Sequence, residues 1–192
     1  LLNYLINGSI SKYGDWHAAF LDVDSSFIRE QAVNDKIAAT AVFDNIGYAG
    51  LDGGQNPDKP YLFIAGFTDD TFAALPITLL SGRLPENSGE ILISSKVASD
   101  GGVSFKVGDT LSLSVGNRMD GDRKLSQGDP YAAGRETFVP QAEKTYTVVG
   151  TCRRPDYEEA SAPGYTLITK ADDRTETDSF SLFVTLKNPR QV

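Results

Sequence analysis

The sequence predicts an α+β fold in which a split β-α-β unit is interrupted by a small β-rich insertion. Three observations predict it. The chain opens as strand, helix, strand, strand. Its middle holds short alternating runs separated by turn residues. A last alternating strand then closes the chain and leads into a helix-start signature. With 192 residues, 40% of them apolar, ten Phe and eight Tyr, there is enough material for one packed domain or two small ones.

The first strand spans Asp15 to Val23 (DWHAAFLDV), with apolar residues on both faces as in a covered sheet. Asp24-Ser25-Ser26 offers N-caps, and Val23 with Ile28 the flanking staple, for a helix of about ten residues ending at Asn34-Asp35. Lys36 to Ile46 is a second strand and Tyr61 to Ala65 a third; the turn-rich Gly47–Pro60 between them is expected to be a hairpin tip. Thr68-Asp69-Asp70 caps a short helix reaching Ala74, and Leu75 to Leu92 reads as loop. A helix at Ser94–Ser99 stops at Gly101-Gly102.

Thr110 to Val115 alternates cleanly, with Leu111, Leu113 and Val115 inward. Asn117 to Gln141 is the least patterned stretch. Lys144–Cys152 and Tyr165–Thr169 are strands, and Ser179–Leu186 reads as a half-buried strand with Phe180, Leu182, Val184 and Leu186 on one face. Lys187-Asn188-Pro189 then marks a helix start, so the sequence is expected to be a fragment cut as that helix begins. The division expected is residues 1–71 and 179–192 for the split unit, with 72–178 inserted. The acidic excess is shared evenly between the two.

A net charge of −8 argues against binding a phosphate backbone. One histidine (His17) and one cysteine (Cys152) exclude an internal disulfide and a Cys/His zinc site. No run approaches the length that crosses a bilayer, and no signal peptide remains in this sequence, which says nothing about the intact protein. The acidic pairs Asp22/Asp24, Asp120/Asp122 and Glu158/Glu159 read as solvated loops or caps rather than metal ligands, because no late bidentate Glu completes a calcium loop. Asp69-Asp70 and Asp172-Asp173 read as turns or caps.

Ser9-Ile10-Ser11-Lys12 has the Ser-x-x-Lys spacing without its companion motifs, and the Asn7-Gly8-Ser9 sequon carries no weight. His17 reads as packed or hydrogen-bonded. Arg153-Arg154 and Arg123-Lys124 are surface pairs, and most Tyr and Phe of the 47–67 and 131–138 stretches belong to the core. No residue is assigned a catalytic, cofactor-binding or metal-binding role, no cofactor is expected, and substrate-binding residues are left open.

The segment Leu79–Ser94 contains Gly82-Arg83-Leu84-Pro85 and Glu90-Ile91-Leu92-Ile93-Ser94. It is followed by Phe105-Lys106-Val107-Gly108-Asp109-Thr110-Leu111-Ser112-Leu113 and by Lys144-Thr145-Tyr146-Thr147-Val148-Val149-Gly150. In this order the three stretches resemble the extracytoplasmic (periplasmic core-type) domain of MacB/FtsX-type ABC-transporter permeases, and Tyr13-Gly14-Asp15-Trp16-His17 resembles the Gram-positive versions. Physically, Gly82 and Gly89 permit turns that let Arg83 pair with Glu90, and Gly108-Asp109 turns tightly into a strand.

The resemblance implies a ferredoxin-like, porter-like unit interrupted by a β-rich subdomain, on the outer face of the cell membrane. It implies a transmembrane helix before Leu1, further helices after Val192, and a cytoplasmic ABC ATPase partner reached through the rest of the permease. A second permease copy or an extracellular protein is a further expected partner. The expected role is non-catalytic: coupling ATP hydrolysis to export or signalling. A secreted ligand-binding or adhesion module, and a hydrolase with carboxylates assembled in space, are the alternatives.

Overall fold

The computed structural model describes residues 16–172 and 177–188. The first unit is β1 (Ala18–Val23), α1 (Ser25–Ala32) and β2 (Ile37–Gly50). Asp24 caps α1 as expected, its carboxylate accepting the Phe27 N–H at 2.8 Å, an interaction of about 1 kcal/mol. The last strand, β10 (Phe180–Leu186), enters between β1 and β2, antiparallel to both. The parallel strands β1 and β2 are therefore joined through α1 across a third strand, which is the split β-α-β arrangement. Phe27 and Ile28 of α1 pack on Phe20, Leu182 and Val184.

β10 is buried on both faces rather than half-buried as expected. With strands on either side, Leu182 and Val184 face α1, while Phe183 joins Phe43 and Trp16 on the other face. The alternation in sequence marked which residues share a face, not that the second face meets water. The helix expected at Asn188-Pro189 lies outside the described residues.

β2 runs past its expected end at Ile46 to Gly50, so the hairpin tip shrinks to the ten residues 51–60 before β3 (Tyr61–Phe67). A bulge between Asn45 and Gly47 makes the extension possible. Gly47 sits at φ +147, and a Cβ there would lie 2.9 Å from the Gly116 carbonyl oxygen. All seven β3 residues are buried, since β9 (Gly164–Lys170) pairs with it in parallel and both sheet faces are covered.

α2 (Asp69–Ala74) carries the predicted cap: the Thr68 hydroxyl accepts the Thr71 N–H, and Thr71 reciprocates on Thr68. The expected loop 75–92 instead contains β4 (Leu79–Gly82) and the start of β5 (Glu90–Ser94), and α3 is only Lys96–Ser99. The segment 117–141, unpatterned in sequence, is mostly strand. β6 (Thr110–Asp120) and β8 (Thr137–Cys152) form a long antiparallel ribbon, with β7 (Arg123–Lys124) at its tip. The register shift between Val115 and Gly116 and the outward exposure of residues 139–145 hide its period.

Strands β2, β3, β9, β5, β8 and β6 follow one another, and β6 returns to β2 through the pair Tyr48↔Gly116. The sheet thereby closes into a six-stranded barrel, which removes edges along the closed portion. Leu62, Ile64, Ile91, Ile93, Val148 and Leu167 fill it, each at 3% exposure or less. Burying each such side chain stabilises by about 1.5–3 kcal/mol. A second cluster outside the barrel stacks Phe43, Phe63, Phe67, Tyr157 and Phe183.

Candidate functional site

The ribbon outgrows the barrel. On β6, Leu111 and Val115 point into the barrel core. The two-residue alternation then brings Asn117 and Met119 to the same face, opposite Val139 and Thr137 of β8. These four residues, with Gly121 and Gln141, line an open cavity of about 510 Å³. It adjoins a second cavity of about 470 Å³, and Asn117 and Gln141 line both. The second is walled by Val115, Ala142 and Lys144 from the barrel side, by Lys124 of β7 from the ribbon tip, and by Asn45, Ile46 and Thr177–Ser179 from the split unit. Together they form a cleft at the barrel mouth, where two units meet, a preferred place for ligand sites.

The wall on the split-unit side is fixed by a hydrogen-bond network. Asn45 donates to the Leu21 carbonyl at 2.8 Å and to Ser179 Oγ at 3.1 Å, and accepts from the Ser181 hydroxyl at 2.8 Å. Ser179 donates to Asp22 Oδ1 at 2.6 Å, and the same oxygen lies 3.7 Å from Lys124 Nζ. Asp178 accepts the Ser25 N–H at 3.0 Å, and the Ser25 hydroxyl together with that N–H holds its carboxyl below the usual carboxylate range. On the ribbon side Lys124 pairs with Asp22, whereas Asn117, Gln141 and Lys144 make no side-chain hydrogen bond or ion pair with the described residues.

The opposite face of the ribbon is locked. Arg118 is fully buried and donates to both carboxylate oxygens of Glu136, Nε to Oε2 at 2.8 Å and Nη2 to Oε1 at 2.7 Å. It also donates to the carbonyls of Ser126 at 2.9 Å and Asp129 at 3.1 Å, and its guanidinium lies over the Tyr48 and Tyr61 rings. Burial alone would raise the Glu136 pKa, but hydrogen bonds from Arg118 and the Ala132 N–H bring it below the ordinary value. Gln127 adds a clamp, accepting the Gly164 N–H at 3.1 Å and donating to the Gly164 carbonyl at 2.9 Å. Residues 125–136 are thus strapped to the outer barrel wall, and the aromatic cluster beneath gives the ribbon a rigid back.

The residues singled out in sequence fall elsewhere. Arg83 and Glu90 form the expected pair, with Nη1 to Oε1 at 2.8 Å; this bond and one from the Glu86 N–H hold Glu90 at about 2. Gly82 at φ +71 is required there, because a Cβ would meet the Val149 carbonyl oxygen at 2.1 Å. His17 Nδ1 accepts the Leu186 N–H at 2.8 Å, as a hydrogen-bonded histidine. Asp120 pairs with Arg135, Lys170 with Asp69, and Arg123 with Asp129. Arg153, Arg154, Asp70 and Asp122 are exposed.

Glu158 corrects the solvated-loop reading. It is buried, 3.0 Å from Lys59 Nζ, and accepts the N–H and hydroxyl of Thr166 at 2.9 and 2.7 Å. A charge so enclosed needs these partners, and the loop around it is packed down by Tyr157 and Tyr165. Burial pushes the Cys152 thiol up to about 12. Ser9, Lys12, Asn7 and Asp173 lie outside the described residues. Among the described residues no group of three or more His, Cys, Asp and Glu is placed to hold a metal, and no helix is long and apolar enough to cross a membrane.

Neither the cleft residues nor the buried Arg118–Glu136 pair was found from sequence. Asn117, Gln141 and Lys144 belong to no motif, and the salt bridge joins positions 18 residues apart. Arg118 stands among Gly116, Asn117, Met119 and Asp120, beyond the Leu111–Val115 alternation, so no local pattern marks it as buried.

No protein-family model matches the chain, and no curated protein matches it. Solved structures do. The extracellular domain of a noncanonic ABC-type transporter, YknZ, from Gram-positive bacteria is 10% identical with a TM-score of 0.43, covering 86% of this chain and 74% of that one. The periplasmic region of MacB from Actinobacillus actinomycetemcomitans is 12% identical, TM-score 0.41, over 87% and 66%. A domain of a putative permease from Porphyromonas gingivalis is 12% identical, TM-score 0.44, over 88% and 64%. The chain spans about two thirds to three quarters of the length of these three structures, to which it is similar at low identity: an extracellular domain of a transporter, a periplasmic region and a permease domain.

Proposed function

We propose that this chain is the non-catalytic extracytoplasmic domain of an ABC-transporter permease, working at the outer face of the cell membrane. The single observation behind the reading is the ordered set of three motifs, set on a split β-α-β frame. Each motif has a structural task here: Gly82 and the Arg83–Glu90 pair brace β4 and β5, Gly108-Asp109 turns into β6, and Tyr146–Gly150 lies in the buried C-terminal part of β8. At Asp109, Oδ2 accepts the Lys106 N–H at 2.8 Å and Gly108 takes φ +99.

In this reading residues 1–71 and 179–192 are the porter-like unit and 72–178 the insertion, which completes its barrel with β2 and β3. The cytoplasmic ABC ATPase acts through the rest of the permease. A second permease copy and an extracellular partner are the further candidates for contact. ATP-driven rearrangement of the membrane helices would move this domain, serving export or signalling.

The test uses the full-length polypeptide in its own cells. It should fractionate with membranes, expose this domain to protease added to intact cells, and copurify with an ATPase subunit. A full-length polypeptide without membrane spans, or a domain protected from external protease, would overturn the reading.

A further inference from the structure

We infer that the cleft at the barrel mouth binds a short zwitterionic peptide, both termini free, with Asp178 receiving its ammonium group and Lys144 its carboxylate. The inference concerns ligand chemistry and stands whether or not the domain belongs to a permease.

The charges of the cleft sort into a closed pair and an open one. Lys124, beside Met119 at the ribbon tip, lies 3.7 Å from Asp22, so these two answer each other. Lys144 of β8 and Asp178 of the split unit line the same cavity from opposite walls, yet make no ion pair with each other or with another described residue. Asp178 accepts from Ser25, which keeps it ionised, and Arg29 of α1 acts on it only through space. Opposite charges that share a cavity without meeting leave a gap for a ligand carrying both signs. An anion would meet Asp178 as a like charge, and a cation would meet Lys144. A zwitterion finds a complement at each end.

The space and the uncharged groups between the two walls fit a peptide. The cavity of about 470 Å³ falls in the usual span of small-ligand sites, roughly 300–1,000 Å³. Where it joins the outer cavity, the primary amides of Asn117 and Gln141 each offer an unengaged donor and acceptor, the complement of a peptide group. Met119 and Val139, the latter 37% exposed, give a side chain an apolar surface in the outer cavity. The facing wall is set in advance: the Thr177 hydroxyl donates to the Asn45 carbonyl at 3.2 Å, and the Asn45 amide donates to Ser179 at 3.1 Å. Little ordering is then left for binding to impose on that side.

Other ligand classes fit less well. A sugar would want an aromatic platform, yet Tyr61, Tyr131 and Phe138 are packed together on the opposite face of the ribbon, beneath the strap. A polyphosphate would meet one unpaired lysine with Asp178 across from it. A single amino acid would satisfy both charges but leave the two amides without a peptide group to bind.

The test is a two-dimensional NMR titration of the isotope-labelled 192-residue chain. The probe is alanyl-leucine with both termini free; its N-acetyl form and its C-terminal amide are the comparisons. The free dipeptide should shift the Asn117, Gln141 and Lys144 signals saturably. Each blocked form should bind about three- to fivefold more weakly, the worth of one exposed ion pair. Lys144→Gln should abolish the preference for acid over amide and keep the preference for the free amine. Asp178→Asn, which retains an oxygen for the Ser25 N–H, should do the converse. Lys36→Gln, before the far end of β2, should keep both preferences. All three side chains are exposed, so circular dichroism of the variants should match the parent. No saturable shift up to about 20 mM dipeptide, or equal binding of free and blocked forms, overturns the inference. So does a Lys144→Gln variant that still prefers acid to amide.

Discussion

Replacing Arg118 with methionine should cost the fold about 3–5 kcal/mol, the range for breaking one side of a fully buried ion pair. The substitution keeps an unbranched apolar stem over Tyr48 and Tyr61 but removes every donor. Glu136, only 1% exposed, loses both hydrogen bonds from the guanidinium, and the Ser126 and Asp129 carbonyls lose theirs. Urea unfolding followed by far-ultraviolet circular dichroism at pH 7 measures the loss. The parent holds Glu136 below its ordinary pKa, so its contribution is present above the unfolded value near 4.5 and fades as the pH falls through the folded one.

In the variant the sign reverses. Left with the Ala132 N–H and the Tyr61 hydroxyl but no countercharge, the buried carboxyl has its pKa raised, so protonation favours the folded form and the deficit should shrink by about 1 kcal/mol or more between pH 7 and pH 5. Replacing both residues, Arg118→Met with Glu136→Leu, should recover much of the loss, because no buried charge is left alone. A single-variant loss under about 1 kcal/mol, or one that does not change with pH, would refute the assignment of the strap to this pair.

Two further outcomes follow from buried titratable groups. Desolvation raises Asp44 to about 6, so its contribution to stability is favourable at pH 4 and is lost as the pH rises through about 6. Asp44→Asn should therefore stabilise by about 1–2 kcal/mol at pH 7.5, after allowance for its partial exposure, and by little at pH 4, read from urea midpoints. The Cys152 thiol, fully buried and held at about 12, should resist a maleimide at pH 7.5 for as long as the fold persists. Labelling faster than global unfolding would contradict its packing.

What could be read from the sequence was local. Asp24 and Thr68 announce their helices because a cap is written within four residues. Leu111, Leu113 and Val115 announce β6 because burial there follows a simple alternation. The split unit was legible from the order of its elements. What escaped depends on distant partners. β10 looks one-faced until β1 and β2 flank it, and Glu158 looks solvated until Lys59, 99 residues away, reaches it. Barrel closure hangs on Tyr48 meeting Gly116, and no pattern near either residue encodes that meeting. The cleft is harder still, since Asn117, Gln141 and Lys144 acquire a common direction only through the ribbon's register and its bulge.

The continuity of β2 has a mechanical meaning. A hinge between two units needs a few loop residues that can take up large dihedral changes. Here a single 14-residue strand serves both, hydrogen-bonded to β10 over its first half and to β3 over its second. Rotation at a free joint is therefore unavailable along this connection. Relative movement must come as twist and small sliding within the sheet, concentrated where the ladder is already broken, at the bulge between Asn45 and Gly47. Asn45 and its neighbour Ile46 also form the wall of the cleft. The bulge thus places the point where the β2–β3 ladder can give in the wall of the cleft itself.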